Sequence, residues 1–234
     1  MRTLLVAHGT RNPHGVSMIG DLAAAMADRL GERVPVAFVD VLGPRPDEVL
    51  AGLGCEPVVL VPAFLSSGYH VRVDVPEHVV TSRHPDVTVT DALGPSPELA
   101  RAMVDRLLES GWRPGDHVVL AAAGTSDRNA QGEVRAAAAM LSAIVGHRVS
   151  IAFAAGTGSD YPLVADAVRK ARMRGARRVA VASYLLAEGL FQQRLRDAGA
   201  DVVGEPLGLH PAVIRLACLR RRYAGLADRD RASA

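Results

Sequence analysis

Cysteine, lysine, aromatic residues and long apolar runs are all scarce in this 234-residue chain. Cys55 and Cys218 are the only cysteines and form no Cys-x-x-Cys pair, which excludes a disulfide scaffold. Aromatic residues make up 4%, too few for a base-stacking platform. The net charge of +2 is too small for the electrostatic footprint of a nucleic-acid-binding protein. No apolar run approaches the roughly 20 residues of a membrane span. The stretch after Met1-Arg2 is too short for a secretion signal, so a reducing cytoplasm is the default expectation. Lys170 is the only lysine, and no G-x-x-x-x-G-K-[ST] loop surrounds it, so ATP use has no support. Gly-x-Ser-x-Gly is absent too, which argues against a serine-hydrolase elbow. Gly156-Thr157-Gly158 lacks the third glycine of a dinucleotide fingerprint.

What is present is an ordinary globular composition, 49% apolar and 22% charged. Short β-branched runs alternate with segments of helical period. Leu4–Ala7, Val34–Val41, Val58–Phe64 and Val87–Thr90 read as strands. Between and after them, Ile19, Leu22, Met26 and Leu30, then Pro46–Leu53, then Leu99, Met103 and Leu107 read as helices. After Ser110–Asp116 the pattern restarts: strands at His117–Ala123, Val149–Ala154 and Arg178–Tyr184, helices at Val134–Val145, Leu163–Ala171 and Leu190–Ala198. A basic helix over about Pro211–Ala224 closes the chain. This order predicts an α/β protein of two similar tandem domains, each a parallel sheet flanked by helices.

The restart extends to individual residues. Leu5–Thr10 aligns with Leu120–Thr125 and Ala37-Phe38 with Ala152-Phe153 at an offset of 115, and Val61–Gly68 aligns with Ala182–Gly189 at 121. An internal duplication follows, with expected domains 1–113 and 114–234. A single chain that supplies both halves is expected to be a monomer. Residues 1–115 hold 10 Lys+Arg and 14 Asp+Glu, whereas residues 116–234 hold 17 and 11. The second half is therefore an arginine-rich partner to an acidic first half.

Subtracting one half from the other separates folding from chemistry. Gly9 and Gly124, and Gly68 and Gly189, are shared and fit tight turns. Three polar residues are not shared: His8 stands opposite Ala123, Asp40 opposite Ala155 and His70 opposite Phe191. All three fall at or just past the carboxyl ends of predicted strands, where open parallel sheets bind ligands. Imidazoles suit Fe, Co, Ni and Zn. Two protein ligands leave coordination positions open, which fits a metal in transit better than a closed structural site. Asp40 fits a turn cap equally well. Ser66 and Ser67 can donate to an anion or simply shape their loop. The other six histidines, His78 and His210 among them, read as solvated, and Arg220-Arg221-Arg222 as a solvated helix face.

Ala7-His8-Gly9-Thr10-Arg11, together with the Gly-x-His-x-x-x-Asp-x-Pro pattern of Gly68-Tyr69-His70-Val71-Arg72-Val73-Asp74-Val75-Pro76, resembles the class II tetrapyrrole chelatases, specifically the sirohydrochlorin chelatase group in its two-repeat form. The resemblance implies ATP-independent insertion of a divalent metal substrate into sirohydrochlorin, with Fe²⁺ for siroheme as the first expectation. Co²⁺ for cobalamin is the alternative, and a non-catalytic metal or tetrapyrrole carrier a further one. It implies His8 and His70 as metal ligands and proton acceptors, with Asp40 as an acidic companion. Arg11 and Arg72, with Ser66 and Ser67, become candidates for the macrocycle's carboxylates. Asp74 would orient His70 or cap the next helix. The macrocycle would enter a cleft between the domains, over Phe64, Leu65 and Tyr69. The absence of a Cys-x-x-Cys cluster and of a His-rich tail argues against an iron–sulfur cluster.

Overall fold

Leu4, Leu5, Val6 and Ala7 are each 3% exposed or less. The first strand, β1 (Arg2–Ala7), is therefore covered on both faces, as an interior strand of a parallel sheet must be. The computed structural model describes residues 1–156 and 161–232. Its first sheet has the order β2 (Val36–Phe38), β1, β3 (Val58–Pro62), β4 (Val87–Val89), with every neighbouring pair parallel. Leu5 lies opposite Val36 on one side and Val61 on the other. Three helices follow these strands: α1 (Pro13–Leu30), α2 (Pro46–Ala51) and α3 (Val75–Ser82). Asn12 starts α1 by accepting the His14 N–H through its side chain, and Gly31 ends it in the left-handed conformation. Leu4, Val6, Ala37, Leu50, Leu60 and Val75 form the core beneath α2 and α3.

The second sheet repeats this order as β6 (Ser150–Phe153), β5 (His117–Ala122), β7 (Val179–Tyr184), β8 (Val202–Val203), again all parallel. Its helices are α4 (Pro97–Glu109), α5 (Arg128–Val145), α6 (Val164–Met173) and α7 (Leu190–Arg196). Val119, Ala121, Ala152, Val164, Val168, Val181 and Leu195 form the core that α6 and α7 cover. The final helix, α8 (Pro211–Ala232), follows. Among the described residues no helix is long and apolar enough to cross a membrane.

The chain divides into compact units at positions the repeat does not mark. One unit is 1–93 with 211–234, and the other is 94–210. The helix that closes the first repeat, α4, packs on α5 and β7, and the helix that closes the second, α8, packs on α1 and β3. Ser110–Asp116, the expected boundary, is thus an ordered turn inside the second unit. Asp116 is 5% exposed and pairs with Arg178 at 3.0 Å, and the Arg178 guanidinium also donates to the Gly111 carbonyl. Its Gly and Pro residues mark a turn, not an interdomain linker.

Two further departures are local. The expected strand Val34–Val41 is only Val36–Phe38, because Asp40 turns the chain: its carboxylate accepts the Val41 N–H, and Val41 adopts φ 67. Helix α3 is marked in the sequence only as the helix that follows Asp74, without bounds, and strand β8, two residues long, is too short for a pattern to show.

Candidate metal site

The sheet order places β1 between β2 and β3, so the chain leaves β1 in one direction and β3 in the other. Such a switch point opens a crevice at the strands' carboxyl ends. His8 follows the last residue of β1, and the loop after β3 leads to His70, the first residue of a π-helical turn, His70–Asp74, that runs into α3. π turns recur at functional sites. Here the turn aims His70 back toward β1. The two imidazole rings lie 4.4 Å apart between centroids and nearly perpendicular, at 82°. Phe64 stacks near His70 at 6.4 Å, and Tyr69 meets it edge-on at 6.2 Å.

Hydrogen bonding fixes which nitrogen each ring offers. His8 Nδ1 lies 3.1 Å from the Gly9 carbonyl, and His70 Nδ1 lies 2.5 Å from Asp74 Oδ2. A carbonyl and a carboxylate accept only, so Nδ1 carries the proton in both neutral rings and Nε2 holds the lone pair. Asp74 therefore orients His70; its side chain makes no capping bond to α3.

Asp40 is brought to the same place by its backbone. Its N–H donates to the His8 carbonyl at 3.0 Å, and its own carbonyl oxygen occupies the space that a Cβ on Gly9 would need. Its Oδ1 accepts the Val41 N–H at 2.7 Å. Among the described residues no group of three or more His, Cys, Asp or Glu is gathered tightly enough to hold a metal. The pair His8–His70 thus belongs to no such group, with or without Asp40. Arg11 and Arg72 are exposed, and Ser66 and Ser67 half-buried. None of the four lines the cavity beside His70. Thr157 and Gly158 of the Gly156-Thr157-Gly158 turn lie outside the described residues.

That cavity, of about 420 Å³, has His70, Asp74, Asp40, Asp47, Glu77 and His78 among its walls. Sequence reasoning missed Asp47 and His78. His78 is not solvated: its side chain is 18% exposed, with Nδ1 2.7 Å from Asp47 Oδ1, while Arg45 holds Asp47 Oδ2 at 3.0 Å. The available signal was spacing, since His70, Asp74, Glu77, His78 and Thr81 recur at the three- and four-residue intervals of one helix face. His210 is 13% exposed and lies 3.2 Å from Asp105. Arg221 is also not a solvated residue; it grips Thr3 and Glu32 at 3.0 Å.

A sirohydrochlorin cobaltochelatase of Methanothermobacter thermautotrophicus is 28% identical over 126 residues, covering 44% of this chain and 88% of that protein. SirB from Bacillus subtilis with Fe³⁺ superposes with a TM-score of 0.80 at 21% identity, over 95% of this chain and 94% of that one. The sirohydrochlorin chelatase SirB from Bacillus subtilis subspecies spizizenii in complex with cobalt gives 0.74 at 18% identity, over the same shares. At these identities the two structures speak to the fold. The CbiX family model matches twice, over residues 2–110 and 117–224, the same two stretches that the internal repeat defines, and the chain belongs to the CbiX family.

Proposed function

We propose that this protein is a sirohydrochlorin chelatase, which inserts a divalent metal substrate into the tetrapyrrole without ATP. The observation that carries the reading is the facing pair His8–His70, 4.4 Å between ring centroids, with Nδ1 of each ring engaged. Two Nε2 lone pairs hold the cation and leave its remaining coordination positions for the macrocycle's nitrogens. As the metal enters, two pyrrole N–H protons must leave; an imidazole released from the metal accepts one and solvent water takes the other. Asp74 holds the His70 ring in place while it does so. Asp40, Asp74 and Glu77, beside an Asp47 already paired with Arg45 and His78, leave the adjoining cavity a net acidic wall that favours a cation over an anion. Arg11, Arg72, Ser66 and Ser67 are the first unit's candidates for substrate carboxylates.

Imidazole pairs accept Fe²⁺ and Co²⁺ alike. Iron would serve siroheme synthesis and cobalt would serve cobalamin synthesis. The relatives named cobaltochelatases favour cobalt as the second reading. Anaerobic incubation of the protein with sirohydrochlorin and either Fe²⁺ or Co²⁺, followed by absorbance, tests the activity. His8→Ala and His70→Ala should each slow insertion by at least about a hundredfold, while His14→Ala, on the exposed face of α1, keeps the wild-type rate. Insertion at the wild-type rate by both site variants would overturn the assignment.

A further inference from the structure

The second unit keeps the backbone of the metal site and reverses its charge. In the first unit the Val39 and Asp40 N–H groups donate to the Ala7 and His8 carbonyls; in the second, those of Ala154 and Ala155 donate to Ala122 and Ala123 in the same way. Gly9 and Gly124 both take positive φ. On that shared frame His8 has become Ala123, Asp40 has become Ala155 and His70 has become Phe191. What stands there instead is a cation. Arg194 Nη1 donates to the Ala154 carbonyl at 3.2 Å, and its guanidinium carbon sits 5.7 Å from the centre of the Phe191 ring.

Helix α7 is built to present this pair. Gln192 is fully buried, bonded to Ser183 at 2.7 Å and to the Gly204 carbonyl at 3.0 Å, and Leu195 is fully buried beside it. These anchors fix one face of the helix in the core. Phe191 and Arg194, also three residues apart, share another face, where Phe191 is 38% exposed. Other arginines of this unit are committed: Arg196 to Glu188 and Glu205, Arg172 to Asp201, Arg178 to Asp116. Among the described residues no carboxylate pairs with Arg194. It is held by one carbonyl and one ring, with the rest of its donor fork turned to neither.

We infer that this relinquished metal site is an anion site for the substrate: Arg194 takes a peripheral carboxylate of the tetrapyrrole while Phe191 lies against the macrocycle's apolar surface. This rests on the proposed chelatase reading and adds residues to it from the unit that holds no metal ligands. A planar, carboxylate-rimmed molecule asks for an aromatic face and a bidentate cation side by side, and a guanidinium already braced on a carbonyl loses little freedom on binding.

The test separates macrocycle from metal. Metal-free sirohydrochlorin is titrated by its own absorbance into wild type, Arg194→Gln, Arg194→Lys and Phe191→Ala. Co²⁺ binding is followed independently by its visible spectrum in the same proteins. Arg194→Gln should weaken macrocycle binding by about tenfold or more, with Arg194→Lys intermediate, and Co²⁺ binding unchanged in all of them. Conversely, His8→Ala should lose Co²⁺ and keep the macrocycle. With the methyl-esterified macrocycle, wild type and Arg194→Gln should bind equally. Wild-type affinity for the free acid in both Arg194→Gln and Phe191→Ala would overturn the inference and leave the chelatase reading intact. Failure of wild type to bind the macrocycle at all would overturn both. An unchanged melting curve identifies each variant as folded, and unchanged Co²⁺ binding does so as well for the Arg194 and Phe191 variants.

Discussion

Gly9 has no side chain because the Asp40 carbonyl oxygen fills the place where one would go, and its φ of 99° is open to glycine and costly for other residues. The turn that carries His8 is thereby locked onto the turn that carries Asp40. Next to it, Thr10 Oγ1 accepts the Asn12 N–H at 3.1 Å, and Thr125 does the same for Asp127 at 3.1 Å in the second repeat. The shared Gly-Thr pair is therefore turn chemistry, as its presence in both halves implied, and the unshared histidine is the residue free to serve a ligand. Gly9→Ala must push two backbone segments apart while holding a left-handed residue. We expect it to lower stability by about 2–4 kcal/mol and to weaken Co²⁺ binding through displacement of His8. Denaturant melts and a cobalt titration check both. A variant that binds cobalt with wild-type affinity would show that the turn does not position the ligand.

At the scale of elements, strand ends decide more than strand interiors. The interiors, such as Val58–Pro62, were legible because a fully buried parallel strand is a plain apolar run. The shortening of β2 to three residues was not, because it follows from a carboxylate–backbone bond at Asp40–Val41 that a β-branched sequence conceals. At the opposite end of the second sheet, His117 opens β5, and its Nε2 lies 3.0 Å from Ser150 Oγ on β6. Burial lowers its pKa below the ordinary 6.5, with the neighbouring charges of His147 and Arg174 adding to the shift. The unfolded chain takes up this proton as pH falls through 6.5, whereas the folded chain takes it up only at lower pH. The stability that the neutral ring contributes is therefore complete above that value and is lost as pH falls below it. Wild type should lose melting temperature between about pH 7.5 and 5.5, and His117→Gln should flatten that slope. An identical slope in the two proteins would remove His117 from the account.

At the scale of the whole molecule, the exchanged closing helices set what can fold alone. Residues 1–113 contain α4, whose buried Leu99, Met103 and Leu107 belong to the second unit. They lack α8, which Arg221 ties to Thr3 and Glu32 in the first. We expect a 1–113 fragment to melt without cooperativity and to expose apolar surface to a hydrophobic dye. Residues 1–93 joined to 211–234 through a flexible linker should instead melt cooperatively. The opposite result would make the sequence repeat, not the compact unit, the folding unit. Part of the arginine excess of the second half also resolves at this scale: Arg169, Arg172, Arg178 and Arg196 close ion pairs with carboxylates of their own unit, and Arg221 anchors α8.

The sequence by itself determined the duplication, the parallel α/β architecture, the family, and which two histidines one repeat holds and the other lacks. Each is written locally, in an apolar run, a glycine turn, or a residue present in one repeat and absent from the other. Only the tertiary structure decided which sheet each closing helix covers, that Asp74 braces His70, that His78 faces Asp47 inside a cavity, and that Arg194 rests on the Ala154 carbonyl beside the Phe191 ring. These are relations between segments distant along the chain, set by packing and by the need of buried polar groups for partners; Asp74 and His70, four residues apart, required the π turn to show which role the carboxylate takes.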